Sequence, residues 1–399
     1  MPATFHLGDA LSAASAPSPY AYYAELTSAS LLHDAENRVW LASSAMAVEA
    51  VLAEPLCRVR PAGEAVPGAL LGSAAGDIFS RLVRMNDGAS HCPFKLAVSR
   101  TLESVGTERI DRHAGHTASL LASQLYSSSA DAWLDRFALQ MPVYVVAGLL
   151  GVSDADLPEI FSLMQDFVAC LAAGCDDRQL EAGKQAAGRL VALLGTMLED
   201  APYDSMFVKE QGLLSVLAQQ AALLSRADTD VVIANGIGFM SQAYEATAGL
   251  IANTLHVLAC DVGLRRQLEQ EPGLLQCCID EVLRWDPPVQ NTRRFAAGDC
   301  RIMGQQVRAG DTVLVLLAAA SRDPAVNPQP YSFDPHRPQR RYFSFGSGVH
   351  LCPGQQWAAQ IAHAAVTQLC SMPLDFGRLA KADRFRASSN IRMRLFAGA

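Results

Sequence analysis

The sequence is short of the features that announce many functions. Its ten cysteines, at positions 57, 92, 170, 175, 260, 277, 278, 300, 352 and 370, include no Cys-x-x-Cys pair, which argues against the common zinc sites. Basic residues do not dominate: 32 Lys and Arg face 40 Asp and Glu, for a net charge of −8, so no nucleic-acid surface is expected. The first twenty residues have neither a basic start nor an apolar run, and do not read as a secretory signal. No stretch supplies the roughly 20 uninterrupted apolar residues of a membrane span. Nor is there an internal repeat in the roughly 20- to 50-residue range. No Gly-x-Gly-x-x-Gly follows a strand pattern and there is no room for a flavin domain, so no built-in reductase is expected. These absences imply a soluble, cytosolic protein with reduced thiols.

What is present is apolar periodicity. Half of the 399 residues are hydrophobic, enough for an extensive core. Helical patterning runs through about 108–126, 133–150, 154–172, 179–199 and 210–224, separated by short polar or glycine-containing breaks such as 173–177. The longest run, Thr229 to Ala259, would be a helix crossing a domain from side to side. Earlier, residues 19–53 read as helix, strand and helix, and 60–76, rich in Gly, Ala and Pro, as an irregular loop. Residues 301–315 alternate like a hairpin around Gly304 and Gly310. The fold class expected is mainly α with small β-sheets, in a single large domain over residues 1–399.

The chemistry is concentrated in Phe345-Gly346-Ser347-Gly348-Val349-His350-Leu351-Cys352-Pro353-Gly354. Three glycines in ten residues bend a backbone tightly and let it approach something flat. The one anionisable sulfur, on Cys352, lies just before a helix reading from Gln355 to Leu369, where the helix dipole favours a thiolate. A thiolate on such a platform is one of the few protein ligands for haem iron. As a lone cysteine it would more often be a small buried hydrophobe.

The whole run resembles the haem-binding loop of the cytochrome P450 family, Phe-x-x-Gly-x-His/Arg-x-Cys-x-Gly, with Phe345, Gly348, His350, Cys352 and Gly354 in register. Further motifs follow in family order, over essentially residues 15–397. His91 and Lys95, an i, i+4 pair, stand where the family usually has His-x-x-x-Arg against haem propionates; Lys95 would act as a point charge rather than a fork. Gly238 to Thr247 resembles the oxygen-binding helix, usually Ala-Gly-x-Asp/Glu-Thr-Thr. Glu245 matches the acid and Thr247 the second Thr, but Ala246 replaces the first. A methyl group cannot donate a hydrogen bond, and Thr247 is rotated about 100° further round the helix. Three routes are then open: a substrate hydroxyl or water carries the proton, peroxide bypasses the step, or the chemistry differs from hydroxylation.

Glu281 and Arg284 match the family's Glu-x-x-Arg, 71 residues before Cys352, and Arg337 is the usual third partner in a network stiffening the thiolate loop. Of Arg293 and Arg294, spacing favours Arg294 as a propionate ligand. Arg337, Arg340 and Arg341 form a basic cluster that would either help dock an acidic partner or remain a solvated face. Phe239, Met240, Ala243, Ala246, Val289, Asn291 and Ile391 are expected to line the substrate pocket, with 60–76 roofing it and the 388–391 tip returning to it.

The resemblance implies haem b bound through Cys352, whose thiolate favours O–O cleavage, and electrons from a ferredoxin and its reductase. It implies oxidation of a small organic molecule, free or carrier-protein-bound, in secondary metabolism. A peroxide-dependent or atypical enzyme (C–C coupling, nitration, nitric oxide reduction) is the alternative that Ala246 supports, and a non-catalytic haem sensor is a third. Pro353 offers no N–H to the sulfur, which predicts that Pro353→Leu raises the haem reduction potential.

Overall fold

In the computed structural model the longest apolar run forms one helix, Thr229–Cys260. At 1.5 Å per residue it is roughly 48 Å long. Asp228 starts it by accepting from the Asp230 and Val231 N–H groups, at 3.0 and 3.4 Å. Arg265 finishes it by donating to the carbonyls of Leu258 and Ala259, where a cation complements the helix dipole. The structure describes residues 7–29, 31–88, 91–126, 132–172, 174–199, 211–224 and 228–398.

Two compact units emerge. The first comprises Met1–Ala62, Ala118–Leu139 and Glu245–Ala399, the second Gly63–Thr117 and Gln140–Tyr244. Their boundary therefore falls inside the central helix.

The first unit contains the sheets. Strands β1 (Leu32–Asp34), β2 (Val39–Ala42), β3 (Cys57–Arg58), β4 (Thr292–Ala296), β5 (Cys300–Ile302), β6 (Gln305–Val307), β7 (Thr312–Val315), β8 (Arg384–Phe385) and β9 (Arg394–Leu395) follow in chain order. Five of them make one sheet in the order β1-β2-β7-β4-β3, with β2 parallel to β7 and the other pairs antiparallel. Alternation along β2 and β7 divides the core. Val39, Leu41, Leu314 and Leu316 pack with Tyr23 and Leu26, while Trp40, Ala42, Val313 and Val315 pack with Val48, Val51 and Phe343. Phe343 belongs to the segment leading into the cysteine loop, so that loop is rooted in the core.

The second unit is helical among its described residues. Helix Leu157–Cys170 packs on Asp177–Glu199, and Leu213–Leu223 packs on Cys92–Glu103. Residues Ala173 and Glu210, at the edges of predicted segments, lie outside the described residues. No single helix among the described residues is long and apolar enough to cross a membrane.

Two expectations need correction. The irregular loop expected over 60–76 ends earlier, because helix Ala74–Arg81 begins inside it, with the Ser73 hydroxyl capping the Gly76 N–H at 3.2 Å. The hairpin expected over 301–315 stops at Val307: β5 and β6 pair around Gly304, whereas β7 joins the five-stranded sheet. Its Val313 and Val315 are needed by the core, and that burial outweighs local hairpin pairing.

Candidate active site

The cysteine loop is held by its own backbone. Gly346 N–H donates to Phe343 O at 2.7 Å, Leu351 N–H to Gly348 O at 3.0 Å and Cys352 N–H to Phe345 O at 3.0 Å. Gly346 and Gly348 have φ of 71° and 68°, in the left-handed region that glycine enters without cost. Cys352 is exposed and half-buried Gly354 follows it before helix Gln355–Cys370. A Cβ on Gly354 would stand 3.7 Å from the Cys352 sulfur, so its absence leaves that side of the sulfur clear. Phe345 and His350 are half-buried in the same loop.

The segment entering the loop is fixed by buried neutral groups. The Ser344 hydroxyl donates to Leu283 O at 2.5 Å, and Phe343 N–H donates to the Ser321 hydroxyl at 3.0 Å. Asn327 Nδ2 donates to Ser321 O and Arg341 O, and its Oδ1 accepts from Arg341 N–H. Ser344 and Asn327 do not stand out in the sequence, since Ser and Asn are ordinary loop residues, whereas Ser321 opens Ser321-Arg322-Asp323-Pro324, which resembles the family's Asn-Arg-Asp-Pro turn.

Glu281 is the charged hub. Its carboxylate accepts from Arg284 (Nη2 at 2.6 Å), Arg337 (Nε at 3.3 Å), Arg340 (Nε at 2.9 Å) and the Asp334 N–H at 3.1 Å. Burial alone would raise its pKa; the Arg284 hydrogen bond and charge, with Asp334 and Arg340, more than reverse this and lower it. The triad expected from the sequence is thus assembled, with Arg340 as a fourth member. This corrects the basic cluster: Arg337 and Arg340 have side chains only 7% and 13% exposed and are committed to Glu281, while Arg341 pairs with Glu49. They do not form a solvated docking patch.

On the central helix, Asn235 to Gly238 and Thr247 to Leu255 are buried, but Phe239, Ser241, Gln242, Ala243, Glu245 and Ala246 are partly or fully exposed. A long core helix therefore carries an open window two turns long at its middle. Phe239, Gln242, Ala243 and Ala246 recur at i, i+3, i+4 and i+7, one face of a helix. The Ser241 hydroxyl donates to Gly238 O at 3.2 Å and Gln242 Nε2 to the same oxygen at 2.8 Å. Met240, expected to line the pocket, is 0% exposed and lies off this face, so it is packing. Thr247, expected to be catalytic, is likewise buried behind the window. Glu245 Oε1 accepts from Arg386 Nε at 3.0 Å.

Next to helix Leu274–Trp285, the segment Asp286 to Asn291 receives the C-terminal tip. Val289 bridges Ile391, Gln290 N–H donates to Asn390 O at 2.8 Å and Asn291 Nδ2 to Ser389 O at 2.8 Å. The Asn291 amide, predicted to meet substrate, is thus used to hold the tip. Beneath lies a second buried carboxylate, unnoticed in the sequence. Asp286 accepts from Arg392 Nε at 2.7 Å and from the Tyr20 hydroxyl, with Arg394 at 3.9 Å. Burial would raise the Asp286 pKa, but Arg392, the Tyr20 hydrogen bond, Arg394 and Arg322 hold it below the usual carboxylate range. Two arginines interrupting the apolar run Ile391–Phe396 were its only sequence signal.

The remaining cations are distributed. His91 is buried at the start of helix Cys92–Glu103, and Lys95, half-buried, donates its N–H to the His91 carbonyl at 2.8 Å. Arg294 is buried on β4 and donates to Arg293 O at 2.9 Å, whereas Arg293, on the opposite face, is exposed. His91 and Lys95 belong to the second unit, and Arg294 and His350 to the first.

Within the first unit, an accessible soft sulfur on a glycine platform, with the buried guanidinium of Arg294 suited to a carboxylate, is a donor set that fits a thiolate-ligated haem. A helix window kept open by Ala243 and Ala246 suits the same kind of flat group.

Comparisons with known proteins agree. The cytochrome P450 family model matches residues 229–371. The 20-oxo-5-O-mycaminosyltylactone 23-monooxygenase of Streptomyces fradiae is 30% identical over 334 residues, 80% of this chain and 73% of that protein. Mycinamicin IV hydroxylase/epoxidase of Micromonospora griseorubida is 30% identical over 271 residues, 67% of this chain and 66% of that one. Among solved structures, P450BioI in complex with hexadec-9Z-enoic acid ligated acyl carrier protein superposes with a TM-score of 0.80 at 21% identity, covering 94% of this chain and 96% of that one. The class is that of haem-dependent oxidoreductases. The chain belongs to the cytochrome P450 family and is a monooxygenase of it.

Proposed function

We propose that this monooxygenase binds haem b through Cys352 and oxidises a hydroxyl-bearing organic molecule in a tailoring step of secondary metabolism. The two relatives cited above are named for acting on mycaminosyltylactone and mycinamicin substrates, which supports that class. The observation that carries the finer reading is the face formed by Phe239, Gln242, Ala243 and Ala246, which carries no hydroxyl, while the one hydroxyl in the window, on Ser241, is engaged with Gly238 O.

Haem supplies the iron at which the oxidant is activated, and Arg294 and His350, which share the first unit with Cys352, would hold its carboxylates. Glu281 and its arginines, with Ser321, Asn327 and Ser344, fix the loop so that the sulfur needs little reorganisation. Ala243 and Ala246 leave space against the helix, and Val289 and Ile391 offer apolar contact to the substrate. Because position 246 carries a methyl group, a substrate hydroxyl or a water it orders must take the donor's part. Electrons come from a ferredoxin and its reductase. A carrier-protein-bound substrate is the variant in keeping with the acyl carrier protein complex of P450BioI.

Peroxide-driven turnover is the second reading, favoured by the same Ala246 and by the engagement of Glu245 with Arg386. Turnover with a reduced ferredoxin system, compared with hydrogen peroxide, separates the two. The first reading expects hydroxylated product with dioxygen and loss of coupling on a substrate analogue lacking its hydroxyl. Equal coupling with that analogue would refute it.

A further inference from the structure

The C-terminal hairpin follows the central helix for about two turns. Asn253 Nδ2 donates to Arg392 O at 3.1 Å, and its Oδ1 accepts from the Arg394 N–H at 3.3 Å. One turn earlier, a Cβ on Gly249 would lie 2.8 Å from Arg392 O and 2.9 Å from Pro288, so only glycine admits the hairpin there. A turn earlier again comes the Glu245–Arg386 pair at 3.0 Å. Positions 245, 249 and 253 share one helix face.

The two ion pairs on this hairpin differ in kind. Arg392 and Asp286 have side chains 2% and 4% exposed, and Arg392 also donates to the carbonyls of Ala14, Ala16 and Pro17. Arg386 and Glu245 are 37% and 23% exposed, and among the described residues the Arg386 side chain makes no other hydrogen bond or ion pair. A buried, multiply bonded pair resists opening, whereas an exposed one is screened by salt and opens readily. The tip that lines Val289 hangs between them, held at Gln290, Asn291 and the Val289–Ile391 bridge.

We propose that Glu245–Arg386 is a labile latch closing the 387–391 tip onto the central helix, with Asp286–Arg392 as the fixed anchor. Arg386 is then a positioning residue that sets how far the tip opens for substrate. While the latch is shut the Glu245 carboxylate is engaged by a guanidinium, and opening releases it. The functional part of this rests on the reading above that Ile391 borders the substrate.

Amide hydrogen exchange on the haem-loaded protein tests the latch without turnover. Arg386→Gln should speed exchange at Ile391 and Gln290 about 1.5-fold to fivefold, the range of an exposed pair. Arg392 and Arg394, on the anchor, should be unchanged. Glu245→Gln should give the same pattern, the double variant no more than either single, and Arg386→Lys should restore most of the protection. Unchanged exchange at Ile391 and Gln290, additive singles, or equal acceleration across 386–396 would each overturn the latch. A separate arm measures binding rates of phenylimidazole and imidazole to the ferric protein. The latch expects Arg386→Gln to speed only the bulkier ligand. Faster exchange with an unchanged phenylimidazole rate would leave the latch standing and overturn the placement of Ile391 beside the substrate.

Discussion

The cysteine loop and the helix window are built on opposite plans. The approach to the loop is over-determined: a buried carboxylate with three arginines and a ladder of buried Ser and Asn groups fix the chain leading into it, and three backbone hydrogen bonds close the loop itself. The window has small side chains, partial exposure, and one half-exposed ion pair. The difference teaches where each kind of residue is needed. On the proposed function, the ligand atom must be held still, which demands many bonds, whereas the reaction space must be left empty, which demands few.

The largest effect should come from removing the hub. Glu281→Ala leaves three guanidinium groups without their shared anion, and should cost about 3–5 kcal/mol in urea unfolding, or prevent folding. A loss below about 1 kcal/mol would mean that the loop is not held this way.

Acid sharpens the same contrast. Glu281 and Asp286 have pKa values lowered in the folded state, so their stabilisation is present above the unfolded value of about 4 and is lost as pH falls through the lower folded values. His256 acts over a higher range. Burial first, then Arg394, lowers its pKa to about 4, so the unfolded chain binds the extra proton and stability declines as pH falls from about 6.5 to 4. His256→Gln should flatten that part of the curve, by about 3 kcal/mol. An unaltered slope would show that His256 is not buried neutral.

How much of this was legible in the sequence follows the distance between partners. The cysteine loop is one contiguous run and Glu281–Arg284 one helical turn, so spacing alone exposed them. Arg392 meets Asp286 across 106 residues and Arg386 meets Glu245 across 141, and no local period links such pairs. Arg340 was visible only as one of several basic residues, because its commitment to Glu281 is tertiary. Met240 sits among window residues in sequence but is turned inward by the helix repeat, an outcome that the apolar pattern around it did not separate from pocket lining.

A moderate effect is expected at Asn327. Its replacement by Ala strands the Ser321 and Arg341 carbonyls and the Arg341 N–H, at a cost of about 2 kcal/mol. It should also broaden the haem absorption band, since the loop loses its footing. A variant with wild-type stability and spectrum would remove the ladder from the account. In the window, Ala246→Thr should change stability by less than about 0.5 kcal/mol. It should nevertheless raise the product formed per electron with dioxygen; no gain in coupling would argue that the methyl group is not what limits proton delivery. The smallest effect is expected at Pro353, where Leu restores an N–H beside the sulfur. Spectroelectrochemistry should find a higher haem reduction potential, and an unchanged or lower value would refute that reading.

The most direct measurement is the spectrum of the reduced, carbon monoxide-bound protein after expression with ample haem. Ligation by Cys352 predicts the long-wavelength Soret band of a thiolate-bound iron, abolished in Cys352→Ser. A band at the position of an imidazole-ligated haem, or purified protein with no colour at all, would contradict the account.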